Sequence, residues 1–322
     1  MDPIIVYPAV AAALATTSIV APRMRRGTSV AARAGKALDQ AAKVSQLIGQ
    51  IQQHRGMSAA WLAGDASFAA RLPEKQARVE DLLEQVNKAG LVEGCERWPC
   101  FTVSDVVGLR VSWRDLVRRL DGLTPEESFH EHCRIIALLL EWMAALVEAR
   151  VETPFAGIGR SLSARNFAER LPMLTECLGQ ARALGSAVAA QRRCRPVARV
   201  RLRFLIGRAE TLLARADAVG DVATCGEAAT AVRTFVSIVR EQLLGDEPVV
   251  LSATECFAAG TRAVDAVFAW LERERRALVE RIESGDTGIV GRMSRLSIAP
   301  DGLPRHNRDR RSVTGRQTTN QP

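Results

Sequence analysis

ALDQAAKVSQLIGQIQQHRGMSAAWL, residues 37–62, is the stretch on which the fold turns. Leu38, Ala41, Ala42, Ser45, Ile48 and Ile51, with Gln52, recur every three or four residues and so share one face of a 3.6-residue helix. The spacing predicts a helix that reaches Trp61–Leu62 and stops at Gly64, where glycine supplies a helix-ending backbone. Beyond it, Asp65 reads as the cap of a helix carrying Phe68, Leu72, Val79, Leu82, Leu83 and Val86. A looser stretch with Gly90, Gly94 and Pro99 follows. Ser104 reads as the next cap, ahead of Val107, Val111, Arg114 and Val117 at helical spacing.

The same grammar continues to residue 284. Thr124-Pro125-Glu126-Glu127 combines a capping threonine, proline in the first turn and a glutamate three residues on, all of which favour a helix start. Gly157 and Gly159 break the chain, and three long patterns follow over residues 164–191, 196–216 and 219–244. Ser252-Ala-Thr-Glu255 is a second capping box, opening a helix to about Glu283 with Phe257, Val264, Val267, Phe268 and Leu271 inward. Aromatics are only 5% of the chain and tyrosine occurs once, so strand-forming alternation is absent. The pattern predicts an all-α protein: about eight helices joined by short loops, hence antiparallel, arranged as two four-helix bundles that share long helices.

The formal charge of +8 resembles a nucleic-acid signal until it is located. Residues 1–36 carry a net +4 and residues 285–322 another +4, which leaves residues 37–284 neutral. A neutral body lacks the clustered cations that a phosphate backbone requires, and nucleic acid is not an expected partner. The uncharged run Pro3–Ala21 is followed by Arg23, Arg25 and Arg26. Nineteen residues just reach spanning length, and arginines after the run keep that side cytoplasmic. The expectation is a single-pass anchor in the inner (cytoplasmic) membrane with the body facing the cytoplasm. Residues 1–27 then form the anchor helix with its basic flank, 28–284 the helical domain, and 285–322 a basic, apolar-poor tail that should be disordered.

No chemistry-bearing constellation emerges. There is no G-x-S-x-G, phosphate loop or H-E-x-x-H, so neither catalytic residues nor a cofactor are expected. The seven cysteines are scattered without C-x-x-C spacing and read as free thiols. His130 and His132 are two residues apart on a helix and point to different sides, so no metal site is expected there.

Three segments stand out. Leu47-Ile-Gly-Gln-Ile-Gln-Gln-His-Arg-Gly-Met-Ser-Ala-Ala-Trp-Leu-Ala63 closely resembles the Q-x-x-R-G-x-S-A-x-x-L-A opening helix of the nitrate- and nitrite-sensing domain family. Leu178-Gly-Gln-Ala-Arg-Ala-Leu-Gly-Ser-Ala-Val188 is similar to its later arginine helix. Ala253-Thr-Glu-Cys-Phe-Ala-Ala-Gly-Thr-Arg-Ala-Val-Asp265 is similar to its closing W/Y-F-x-x-x-T-x-x-I-D segment. The resemblance implies an all-helical sensor whose anion site takes arginines from separate helices. Arg55 and Arg182 match two of them, and a third falls near Arg240 or Arg233. Gly56 and Ser58 would permit close helix approach and offer a hydroxyl. Two positions depart from the family: His54 stands where glutamate is frequent, and Ala181 where an acidic residue is common.

The chemistry suits the residue type, because guanidinium is planar, weakly hydrated and presents paired N–H donors to a flat oxyanion. The resemblance therefore implies a non-enzymatic, membrane-tethered sensor that binds nitrate or nitrite between helices and signals through a separate protein by bundle rearrangement. Self-association as a homodimer stays open. The alternative is a ligand-free helical scaffold that retains the sensor fold.

Overall fold

The computed structural model describes residues 8–154, 162–219, 222–245 and 248–284, and among them every regular element is helical. Eight long helices carry the architecture: α1 (Pro8–Leu62), α2 (Leu72–Glu93), α3 (Val103–Arg119), α4 (Pro125–Val147), α6 (Leu171–Ala190), α7 (Pro196–Asp217), α8 (Val222–Ile238) and α9 (Ala253–Glu283). A one-turn α5 (Leu162–Arg165) leads through a wider turn, Asn166–Arg170, into α6. This is the all-α bundle expected from the sequence.

The helices pack as two groups of four consecutive elements, α1–α4 and α6–α9, and α1 also lies against α6 and α9. Side-chain pairs fix the antiparallel register. Arg110 meets Glu84 while Arg114 meets Glu80 across α2 and α3. Arg233 meets Asp217, and Arg240, just beyond α8, meets Glu210 on α7. These exposed pairs each contribute a fraction of a kcal/mol, roughly 0.2–1, so they report register more than they hold the fold. The stability lies inside. Leu38, Leu47, Ile48 and Ile51 of α1 are buried in one continuous core with Val79 and Leu83 of α2, Ile136, Leu139 and Met143 of α4, and Phe235, Val267 and Trp270 of the second bundle. Each such side chain contributes about 1.5–3 kcal/mol of transfer free energy.

Helix starts follow local chemistry, with two shifts from the sequence reading. Thr124 and Ser252 form complete capping boxes with Glu127 and Glu255. The cap of α3, however, is Thr102 rather than Ser104. Thr102 has extended backbone, its hydroxyl accepts from the Asp105 N–H, and Asp105 reaches back to the Thr102 N–H at 2.7 Å. Ser104 lies inside the first turn, where its side chain can no longer cap. Asp65 accepts from the Ser67 N–H, yet what it caps is a short 3-10 segment, Ala66–Arg71, and α2 begins only at Leu72. Gly64 ends α1 at φ +107°, the left-handed conformation for which glycine was expected there.

Of the predicted apolar run, Pro3–Tyr7 lies outside the described residues; from Pro8 the backbone belongs to α1, which continues unbroken past residue 27. Among the described residues no helix is long and apolar enough to cross a membrane. The expected break at Gly157 and Gly159 and the tail from Gly285 also fall outside the described residues.

Candidate anion site between the two bundles

Arg55 projects from α1 of the first bundle toward α6 of the second, and is 1% exposed. A β-carbon at Gly179 of α6 would stand 3.0 Å from its Nη2, so the bare backbone at 179 admits the guanidinium. The two terminal nitrogens grip the carboxylate of Glu176, with Nη1 donating to Oε1 at 2.6 Å and Nη2 to Oε2 at 3.1 Å. Gln52 and Gln180 donate to the same carboxylate at 3.0 and 2.7 Å. Phe129 of α4 lies 5.1 Å from the guanidinium carbon, and Nη1 also reaches the Cys133 sulfur at 3.1 Å. Burial alone would push the Arg55 pKa down; Glu176 and Cys133 outweigh it and hold the group above the ordinary arginine value.

Arg182 projects from α6 one turn beyond Gly179 and is 3% exposed. Its stem lies on the backbone of α9, where a β-carbon at Gly260 would come within 2.7 Å of its Cβ and Cγ. Its guanidinium sits 4.8 Å from the centre of the Phe257 ring and donates to the Thr261 hydroxyl at 3.0 Å. A β-carbon at Gly56, the neighbour of Arg55, would stand 3.6 Å from its Nη2. The Arg182 guanidinium thus lies at ordinary contact distance from the backbone beside Arg55, and the two charges act on one another.

The pair is electrostatically unequal. Arg55 has a bidentate carboxylate, whereas Arg182 forms no ion pair with any described residue. Burial, and then the charge of Arg55, lower the Arg182 pKa to about 10, against weaker pulls from Asp265 and Glu176. The Nε of each arginine and the Oε1 of Gln52 are buried without a hydrogen-bond partner among the described residues. Two orphaned N–H donors on buried cations are an unmet demand for an acceptor bearing negative charge.

Ser58 and Arg240 are placed elsewhere. The Ser58 hydroxyl is buried, but it contacts His54 Nδ1 at 3.2 Å. Arg240 is on the surface, its side chain 54% exposed and paired with Glu210, lining a cleft of about 220 Å³ with Arg203 and Leu244. The structure does not bring it to Arg55 and Arg182. The alternative Arg233 is likewise exposed and paired, with Asp217. His54 turns away from the arginines into a buried chain with His132. The Ser128 carbonyl can only accept, so His132 Nδ1 donates to it at 2.6 Å and His132 Nε2 accepts from His54 Nδ1 at 2.8 Å. His54 Nε2 then accepts from the Gln76 amide at 3.3 Å. Burial pushes His54 down to about 4, and burial, His54 and Arg55 push His132 well below the usual histidine range. Both rings are therefore neutral, and the carboxylate partner of Arg55 comes instead from Glu176.

Two four-helix bundles meeting over a pair of buried guanidinium groups define an all-helical domain. The chain belongs to the nitrate and nitrite sensing family, whose sequence model matches residues 46–283. Among solved structures it is similar to that of the NasR transcription antiterminator, at 18% identity and a TM-score of 0.66, covering 87% of this chain and 77% of that one. At that identity the likeness speaks for the fold alone. A comparison with curated proteins finds no match.

Proposed function

We propose that this protein senses nitrate or nitrite by binding the anion between α1, α6 and α9, with Arg182 and Arg55 as its ligands. One observation carries the reading: Arg182 is a 97% buried cation, 3% being exposed, without an ion-pair partner among the described residues. A buried charge is costly until it is paired, so an anion delivered there recovers interaction energy that the empty fold forgoes. Nitrate and nitrite are planar and weakly basic, matching a delocalised planar cation. Family membership points to a regulatory rather than a catalytic role.

Signalling would run through α1, because this helix touches both bundles and carries Arg55 on the face toward α6. An anion that changes how Arg55 and Arg182 share that interface changes the packing of one bundle on the other, which a separate output protein would read. Membrane association through the N-terminal segment belongs to the same proposal; its support is the apolar run before Arg23, Arg25 and Arg26. The scaffold alternative draws on a different fact, the internal satisfaction of Arg55 by Glu176.

Calorimetric titration with sodium nitrate and sodium nitrite decides between them. The four heavy atoms of nitrate at about −1.5 kcal/mol each give a ceiling near −6 kcal/mol, or a Kd on the order of tens of micromolar. Arg182→Lys keeps the charge but not the fork of donors, and should bind at least about tenfold more weakly. No heat and no thermal shift at millimolar nitrate or nitrite would leave the scaffold.

A further inference from the structure

We infer that Glu176 sets the charge of the anion site at a single positive unit, and thereby confines it to monovalent oxyanions. This rests on the reading of Arg55 and Arg182 as the ligands and adds the class of anion they accept.

The groups that face the site are few. Arg55 and Arg182 contribute two positive charges and Glu176 one negative charge, all within the buried seam. His54 and His132 are neutral, because burial pushes both below the usual range. Burial likewise raises the Cys133 pKa, keeping it a thiol. Two further charges stand at the solvent-exposed edge: Asp265 of α9, which pulls on Arg182 more than Glu176 does but forms no ion pair with it, and Arg201 of α7, which lies over the Phe129 ring and pairs with Glu126. The buried groups of the seam therefore hold a net charge of +1, and the two edge charges are opposite in sign and screened by solvent.

A monovalent anion brings that seam to neutrality. A divalent one such as sulfate or hydrogen phosphate would leave a buried excess negative charge beside Glu176, and an uncompensated buried charge is strongly disfavoured. Glu176 also discriminates by geometry. Its carboxylate is a planar oxyanion already seated on the Nη1 and Nη2 edge of Arg55, so an incoming anion must displace it or settle for Arg182 and the free Nε edges. The glutamate is thus both the counter-charge and an internal competitor. Four donated hydrogen bonds, two from Arg55 and one each from Gln52 and Gln180, hold it there.

The test titrates wild type, Glu176→Gln, Glu176→Asp and Arg182→Lys with sodium nitrate and sodium sulfate at constant ionic strength. Heat and thermal shift are the readouts. Wild type should bind nitrate and ignore sulfate. Glu176→Gln raises the net charge to +2 with nearly unchanged shape. It should bind nitrate about tenfold or more tightly and gain sulfate binding, since one charge close by in a protein is worth that much. Glu176→Asp keeps the charge and should still reject sulfate. If Glu176→Gln is unfolded without anion, its refolding is followed by circular dichroism, and sulfate should rescue it at least as well as nitrate. Equal sulfate and nitrate binding by wild type overturns the inference, as does sulfate that neither binds nor rescues Glu176→Gln. Nitrate binding by wild type that survives intact in Arg182→Lys would instead bring down the arginine site itself, and no nitrate binding by wild type would remove both.

Discussion

Arg55 and Arg182 are the same residue type, on facing helices, almost equally buried, yet their removal should have very different effects on the stability of the protein without anion. Replace each by methionine, which keeps much of the stem and removes the charge. Arg55→Met strands the Glu176 carboxylate in the seam with only Gln52 and Gln180 as donors. Breaking a buried pair in this way costs about 3–5 kcal/mol. For a domain of this size that lowers Tm by about 10 °C, at roughly 2–4 °C per kcal/mol. Arg182→Met removes a cation whose pKa burial and the charge of Arg55 have lowered to about 10. A fall of that size from the ordinary arginine value corresponds to a penalty on the charged form of about 3 kcal/mol. The sign follows from the depressed value: the penalty is present at every pH below about 10 and would fade only as pH climbs through it. Against this relief stand the Thr261 hydrogen bond, about 1 kcal/mol, and the Phe257 contact, about 1–2 kcal/mol. The ligand-free Arg182→Met protein should therefore be within about 1 kcal/mol of wild type or slightly more stable. Urea and thermal unfolding of wild type and both variants, each with and without nitrate, measures all of this. At a hundred times Kd, nitrate should add about 2.7 kcal/mol to wild type and little to either variant. An Arg182→Met protein destabilised as heavily as Arg55→Met would mean that Arg182 is well paired in the free protein, and the argument for an anion there would fall.

Gly260→Ala places a β-carbon 2.7 Å from the Arg182 stem and 3.1 Å from Phe235; it should destabilise by about 1–3 kcal/mol and weaken nitrate binding, and a normal titration would show that the seam can yield. The histidine chain predicts an acid-side loss. With His54 at about 4 in the folded protein against 6.5 free, its contribution is complete above pH 6.5 and is lost as pH falls toward 4, by about 3 kcal/mol. Urea melts across that range should show the loss in wild type and a flatter profile in the His54→Gln, His132→Gln double variant. Vesicle flotation tests the amino terminus: binding to anionic vesicles should weaken when Arg23, Arg25 and Arg26 become glutamine, at about 1 kcal/mol per charge near the surface, and a chain that never floats removes the anchor.

The fold was legible because helical bundles write their rules locally. The period of Leu38, Ile48 and Ile51, the boxes at Thr124 and Ser252, and the stop at Gly64 each act within a few residues, and each appears where expected. The failures are also local and instructive. Ser104 and Thr102 both carry a capping hydroxyl, and what decides between them is the carboxylate three residues on, Asp105 for Thr102. Asp65 caps, but only a 3-10 turn, because six residues intervene before Leu72. The number of helices already pointed to two groups of four, but which faces meet needed packing information, since no periodicity specifies it.

The site was half legible, and the missing half shows what sequence reading lacks. Arg55, Gly56 and Arg182 sit in the recurring patterns, and the structure brings them together. Phe257 and Thr261, which flank Arg182, occupy the F and T positions of the closing segment, and nothing in the spacing of that segment ties it to Arg182. Glu176 gave no signal. It is one of 36 acidic residues, and its partner is 121 positions away on another helix. His54 concealed it further, for a histidine where glutamate is frequent leaves the sequence without a carboxylate beside Arg55. The structure supplies the carboxylate from α6 instead, so the negative charge opposite Arg55 is kept although its position in the sequence is not. Charge balance in a buried seam is a property of the assembled interior, contributed by any helix that reaches it. A motif records only the positions that always contribute, and Glu176 becomes visible once α1 and α6 lie side by side.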